Sequence, residues 1–175
     1  IGVTGTKGKT TTTHMIKAIL ESCGKKVGMI GTTGIVIGSE VTPTMNTTPE
    51  SYQLFESFER MAQAGCEYMV MEVSSQGLKM DRTAGIMFDY GVFKMHRVDG
   101  IRFDYGLFTN ISPDHIGPDE HADFNEYIYY KSQLLDRCRI GIVNRDDEHY
   151  HEIIKDASCE LTSFSLEQEA DFMAK

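Results

Sequence analysis

With 175 residues, 41% of them hydrophobic and 25% charged, the chain can bury one domain core, and its composition excludes general disorder. A formal net charge of -9 argues against a nucleic-acid partner, which needs a basic face. No apolar run approaches the length that spans a bilayer, so no membrane role is expected, and no signal peptide is visible.

The first residues, Ile1-Gly2-Val3-Thr4-Gly5, read as the end of a strand entering a loop, so a piece of a longer protein is expected. Residues 9–23 read as a helix with Met15, Ile16, Ile19 and Leu20 on its apolar side and Gly24 as a stop. Residues 26–30 form a short strand, and residues 31–41 a hairpin around Gly38-Ser39. Pro49 is placed to open a second helix, running to about residue 64. Residues 68–73 are apolar apart from Glu72, as in a strand buried on both faces. Further on, residues 123–137 are helical, 140–143 a strand, 148–154 a helix and 161–164 a last strand. Strands alternate with helices, so the predicted class is α/β with a mainly parallel sheet. Cys23, Cys66, Cys138 and Cys159 form no CxxC pair and read as reduced thiols of a cytoplasmic protein rather than zinc ligands.

The loop Gly5-Thr6-Lys7-Gly8-Lys9-Thr10-Thr11 follows a strand and opens a helix, the order of a P-loop. Its glycines let backbone N–H groups turn toward phosphate oxygens, and the helix start adds positive potential. Lys9 supplies a charge for the β/γ-phosphates and the Thr10 hydroxyl a ligand for Mg²⁺. Val3 stands where the longer form of the motif has glycine, so the loop is a shorter variant. A plain glycine turn is the rival reading. Glu72, at the end of an apolar strand, is the expected acidic partner of the metal, and a solvent-facing carboxylate the alternative.

Together with Asn46-Thr47-Thr48-Pro49, Met71-Glu72-Val73-Ser74-Ser75-Gln76-Gly77-Leu78, Phe108-Thr109-Asn110-Ile111-Ser112-Pro113-Asp114-His115 and Tyr130-Lys131-Ser132, the loop resembles the central domain of Mur ligases. Among these it is most similar to the MurE type. The resemblance implies a P-loop-type parallel sheet flanked by helices, here a truncated central domain lacking the UDP-binding and amino-acid-binding domains. It implies ATP and Mg²⁺ as cofactors, and UDP-MurNAc-L-Ala-D-Glu and a diamino acid as substrates, joined through an acyl phosphate by a monomer. It further implies that Thr10 and Glu72 hold one Mg²⁺, and that His115 and a carbamylated Lys131 serve a second. Asn46, Thr47, Thr48, Ser74 and a downstream Arg would hold the UDP-linked dipeptide.

Read without the resemblance, Lys131 is a solvated residue of an amphipathic helix, His115 a loop histidine, and Thr48 a helix N-cap before Pro49. His115 with nearby His121 is too small a set for zinc.

Residues 79–93 are followed at once by a near-copy, residues 94–108. Back-to-back copies of this size suggest a local tandem duplication rather than a repeat fold. The second copy runs directly into Thr109 and is expected to form the central strand over residues 101–109, with the first looping out or adding an edge strand. The substrate arginine is then either Arg82, which keeps its distance from Ser74, or Arg97, which keeps its distance from the strand. A related ligase such as folylpolyglutamate synthase, and a non-catalytic nucleotide-binding module disabled by the duplication, are the competing readings.

Overall fold

The computed structural model describes residues 1–83, 103–118 and 120–173. In chain order the elements are β1 (Gly2–Thr4), α1 (Lys9–Ser22), β2 (Val27–Gly31), β3 (Gly34–Ile37), β4 (Glu40–Thr42), α2 (Ser51–Gln63) and β5 (Tyr68–Glu72). They continue with α3 (Ser75–Lys79), β6 (Phe103–Phe108), α4 (Phe124–Asp136), β7 (Cys138–Asn144), α5 (Tyr150–Ile154), β8 (Glu160–Ser165) and β9 (Phe172–Met173).

The described strands form one sheet in the order β4-β3-β2-β5-β1-β6-β7-β8-β9. It is parallel from β2 to β9, and the β3–β4 hairpin adds an antiparallel edge. β1 lies at the centre, with Val3 opposite Glu72 on one side and Leu107 on the other. The chain first builds the β2 side of β1 and then crosses to β6, so β1 ends at a topological switch point. In open α/β sheets the crevice for a ligand lies there, beyond the carboxyl ends of the strands.

Both faces of the sheet are covered. On one, Ile16 and Leu20 of α1 pack on Val3, Val27 and Val70. On the other, Leu54, Phe58 and Met61 of α2 and Leu134 and Leu135 of α4 join Ile30, Met71, Phe103 and Phe108. The α1 stripe differs from the sequence reading. Ile16 and Leu20 face the sheet and Thr13 is fully buried, while Met15 and Ile19 are about 60% exposed. The buried set follows the 13-16-20 spacing, one residue out of step with Met15 and Ile19.

Two further boundaries shift. α2 starts at Ser51 with Glu50 as its cap, so Pro49 precedes the helix and Thr48 is not its cap. The Thr48 hydroxyl is used elsewhere: it donates to the Glu72 carbonyl and accepts from the Ser74 N–H. The short α3 and the two-residue β9 have no counterpart in the sequence reading, being too brief for a periodic pattern.

The second repeat copy supplies β6, as expected. Phe108 pairs with Thr4, and Thr109 then donates its N–H to the Thr4 carbonyl. The strand must therefore run without interruption into Thr109, which only the second copy does. The first copy beyond Thr83, and with it Arg97, lies outside the described residues. Phe108 is completely buried. Phe108→Ala should cost about 3–5 kcal/mol, read from urea unfolding, because the other copy of the motif cannot refill this place.

Candidate functional site

Four chain segments meet at the carboxyl end of β1. Gly5 leaves the strand with φ +140°, and Gly8 caps α1 with φ +83°. A Cβ on Gly5 would sit 2.0 Å from Thr109 Oγ1 and 3.0 Å from the Asn110 carbonyl, so only glycine fits. α1 has neither a capping side chain nor an acidic residue in its first turn. The N–H groups of Gly8, Lys9, Thr10 and Thr11 have no partner among the described residues, the first intrahelical bond being Thr12 N–H to the Gly8 carbonyl. Unpaired N–H groups at an unshielded helix start are an anion site.

Lys9 curls back over the loop and donates to the carbonyls of Gly5 (2.9 Å) and Thr6 (3.2 Å). Burial holds its pKa below the ordinary value, opposed by Glu72 and Asp114. Lys7, in contrast, points to solvent.

Glu72 is 1% exposed at the end of β5. Its Oε1 accepts from the N–H (3.0 Å) and hydroxyl (2.9 Å) of Thr32, and its Oε2 accepts from the Thr10 hydroxyl (3.0 Å). A buried carboxylate hydrogen-bonded only by neutral donors is costly unless a cation joins it, and here Lys9 is attracted to it. The adjoining Thr10 hydroxyl and Glu72 Oε2 are hard oxygen donors of the kind Mg²⁺ takes. These residues fit the metal that the sequence assigned to them.

Lys131 is not solvated. It is 2% exposed on the inner face of α4, with Nζ 2.9 Å from the Gly5 carbonyl and 4.8 Å from the centre of the Tyr127 ring. Burial, then the neighbouring Lys9, push its pKa down to about 7, with Asp114 pulling the other way. α4 is placed by a reciprocal cap: Asp123 accepts from the Glu126 N–H, and Glu126 accepts from the Ala122 N–H. His115 lies across the Tyr127 ring, with centroids 6.1 Å apart. Its backbone is left-handed at φ +53°, uncommon for a non-glycine, and Nδ1 is 2.8 Å from Glu120 Oε1. As a free amine Lys131 does not fit a cation, because its ammonium form repels it, whereas a neutral imidazole such as His115 can serve as a ligand.

The substrate candidates gather beside Glu72. Thr48 bridges Glu72 and Ser74, and Ser74 caps α3 by accepting from the Gly77 N–H. Arg82 donates to the Thr48 carbonyl and pairs with Glu50 at 2.8 Å. Asn46 and Thr47 lie in the same loop, half-buried. Thr11 is exposed on the first turn of α1.

Sequence reasoning passed over several residues that build this site. Thr32 orients Glu72, Tyr127 donates to Thr6 Oγ1 at 3.3 Å, and Asp147 accepts from the Ile111 N–H at 2.7 Å. Asn110 stands inside the Phe108-to-His115 motif, its only signal in the sequence.

A family model of the Mur ligase middle domain matches residues 3–95 and 93–175. The chain belongs to the Mur ligase family. The two matches overlap at the junction of the repeat copies, as a tandem duplication within one domain requires. The UDP-N-acetylmuramoyl-L-alanyl-D-glutamate–2,6-diaminopimelate ligase of Clostridium perfringens is 42% identical over 179 residues, covering 99% of this chain and 34% of the relative. The corresponding ligase 1 of Clostridium acetobutylicum is 39% identical, covering 100% of this chain and 33% of that one. A solved structure of a ligase with the same name superimposes with a TM-score of 0.80 at 27% identity, over 98% of this chain and 33% of that chain. E. coli FolC, at 17% identity and a TM-score of 0.62, shares the fold. The chain thus spans about a third of the length of the ligases it matches.

The buried Lys131 gives a pH signature. Its folded pKa of about 7 lies below the ordinary 10.5, so between those values the unfolded chain carries a proton that the folded one does not. Stability should therefore rise with pH over that window, by up to ~1.4 kcal/mol per unit from this group. Lys131→Met should flatten that part of the slope, measured by urea unfolding of both proteins in CO₂-free buffer.

Proposed function

We propose that this chain is the nucleotide-binding domain of an ATP- and Mg²⁺-dependent ligase that joins a diamino acid to UDP-MurNAc-L-Ala-D-Glu. The observation that carries the reading is the phosphate loop itself, with Glu72 bonded to its Thr10 and the buried Lys131 bonded to its Gly5. The names of the relatives point to 2,6-diaminopimelate as the diamino acid. The relatives at 39–42% identity favour this reading over a folylpolyglutamate synthase, for which similarity extends to the fold alone.

In this reading the free N–H groups of residues 8–11 and the Lys9 ammonium hold the triphosphate. Lys9 leaves the carbonyls of Gly5 and Thr6 to do so. Thr10 and Glu72 would hold Mg²⁺, whose charge would offset that of the phosphates during phosphoryl transfer to the substrate carboxylate. Thr48, Ser74, Asn46 and Thr47 position the UDP-linked dipeptide, and Arg82 is the arginine that accompanies them. The acyl phosphate so formed is attacked by the incoming amine, and phosphate leaves.

Lys131 acts as its carbamate. At neutral pH much of its amine is unprotonated, and a neutral amine can attack CO₂, forming an N–C bond and releasing a proton. The product carries a negative charge where an ammonium stood, and with His115 it completes the second cation site. No described helix is long and apolar enough to cross a membrane. A cytoplasmic monomer suits the two nucleotide substrates.

The test has two stages. The chain should bind ATP in calorimetry with Mg²⁺, and Glu72→Gln should weaken that binding roughly tenfold or more by removing the metal's charged ligand. The complete gene product should then release phosphate only when ATP, the UDP-linked dipeptide and diaminopimelate are all present. ATP binding without phosphate release under any combination would leave a nucleotide-binding module without ligase activity.

A further inference from the structure

Asn110 makes three polar contacts with the first half of the phosphate loop and one with its neighbour Thr109. Its carbonyl accepts the Thr6 N–H at 2.9 Å. Its side-chain Oδ1 accepts the Lys7 N–H at 3.0 Å, and its Nδ2 donates to the Lys7 carbonyl at 3.0 Å and to Thr109 Oγ1 at 3.3 Å. The carboxamide thus engages both backbone polar groups of one loop residue, as a neighbouring strand would. Thr109 Oγ1 reaches the same Lys7 carbonyl at 3.0 Å, and Ser112 exchanges two bonds with Thr6 Oγ1.

The consequence is a division of the loop. The N–H groups of Thr6 and Lys7 are spent on Asn110, and those of Gly8 to Thr11 are free. We infer that Asn110 is a positioning residue for the phosphate loop: it pins the Lys7 residue so that the next four N–H groups face the ligand, and it ties the loop to the segment carrying His115. Asn110 does not touch the phosphates itself. The inference rests on the nucleotide reading of the loop.

The experiment compares this chain with Asn110→Ala and with Asn110→Asp. The second variant keeps the volume and the Lys7 N–H acceptor but loses the Nδ2 donor. Two readouts are taken: exchange of the Lys7 amide without nucleotide, by NMR, and affinity for MgATP, by calorimetry. In the native chain the Lys7 amide should exchange slowly. In Asn110→Ala it should exchange at least about tenfold faster, and MgATP affinity should fall about tenfold or more, with far-ultraviolet circular dichroism unchanged. In Asn110→Asp the amide should stay protected while affinity still falls. A general loss of structure would not separate the two readouts in this way.

If the native chain binds MgATP and Asn110→Ala binds it within about twofold, the inference is overturned while the nucleotide reading stands. If the native chain binds no ATP, that reading fails by itself. The exchange data then decide the clamp: equal Lys7 exchange in native and variant chains overturns it, and protection lost only in Asn110→Ala supports it. Should Asn110→Ala not fold, affinity in Asn110→Asp equal to the native value overturns the inference, as does a loss that disappears at high salt, where the added charge is screened, and a loss that persists there supports it.

Discussion

The carbonyl of Gly5 accepts hydrogen bonds from two amines, Lys9 and Lys131, while the Gly5 Cα packs so closely on Thr109 that no Cβ fits. Everything else at the site is arranged around this one peptide. β1 delivers it, β6 delivers Thr109 beside it, and α4 delivers Lys131 below it. The tolerance is a few tenths of an ångström, which only a packed core can hold. Leu134 of α4 rests over Gly2 of β1, and Tyr127 of the same helix bonds Thr6. The core that stabilises the sheet is thus also the ruler that sets the loop.

Charge explains why the arrangement is poised. Lys9 and Lys131 crowd one carbonyl, and the Lys9 charge disfavours a proton on Lys131. Burial pushes in the same direction and is the larger effect for Lys131. Glu72 stands beside the loop, hydrogen-bonded by Thr10 and Thr32 and attracting the Lys9 charge. In the proposed reading a polyanion with its metal would relieve this crowding, giving the amine a phosphate and the carboxylate a cation. The loop holds its own lysine in the meantime, so the cationic head of Lys9 is never buried without an acceptor.

Legibility from the sequence followed the length scale of the interaction. The loop was readable because glycine, lysine and threonine at fixed short spacing imply one backbone path. Glu72 was readable because a lone acid in an apolar strand has few innocent explanations. Lys131 was not, because periodicity placed it on a helix without saying which helical face the sheet would take. The same uncertainty misplaced Met15 and Ile19. Thr48 shows a different failure: its position before Pro49 satisfies a local capping rule, yet the hydroxyl bonds Glu72 and Ser74, residues that only the tertiary fold brings near. Asn110 failed likewise, since its partner Lys7 is a hundred and three residues away in the chain.

The tandem copy enters the fold at a place that spares the site. Both junctions with the described structure are tied to one residue at the start of β7. Arg137 donates from Nη1 to Thr83 Oγ1, pairs through Nη2 with Asp81, and accepts the Phe103 N–H on its carbonyl. The described residues on either side of the tandem segment, Thr83 and Phe103, thus both meet Arg137 at the amino end of β6, whereas Gly5, Glu72 and His115 lie at or beyond the carboxyl ends of the strands. Lengthening a connection between two pinned points costs only a term that grows with the logarithm of its length. Had the insertion fallen after Phe108 instead, it would have parted Thr109 and Asn110 from β1 and dismantled the loop directly. The copy that pairs with Thr4 is thus the one that runs into Thr109, and the Thr109 bond to the Thr4 carbonyl makes that choice.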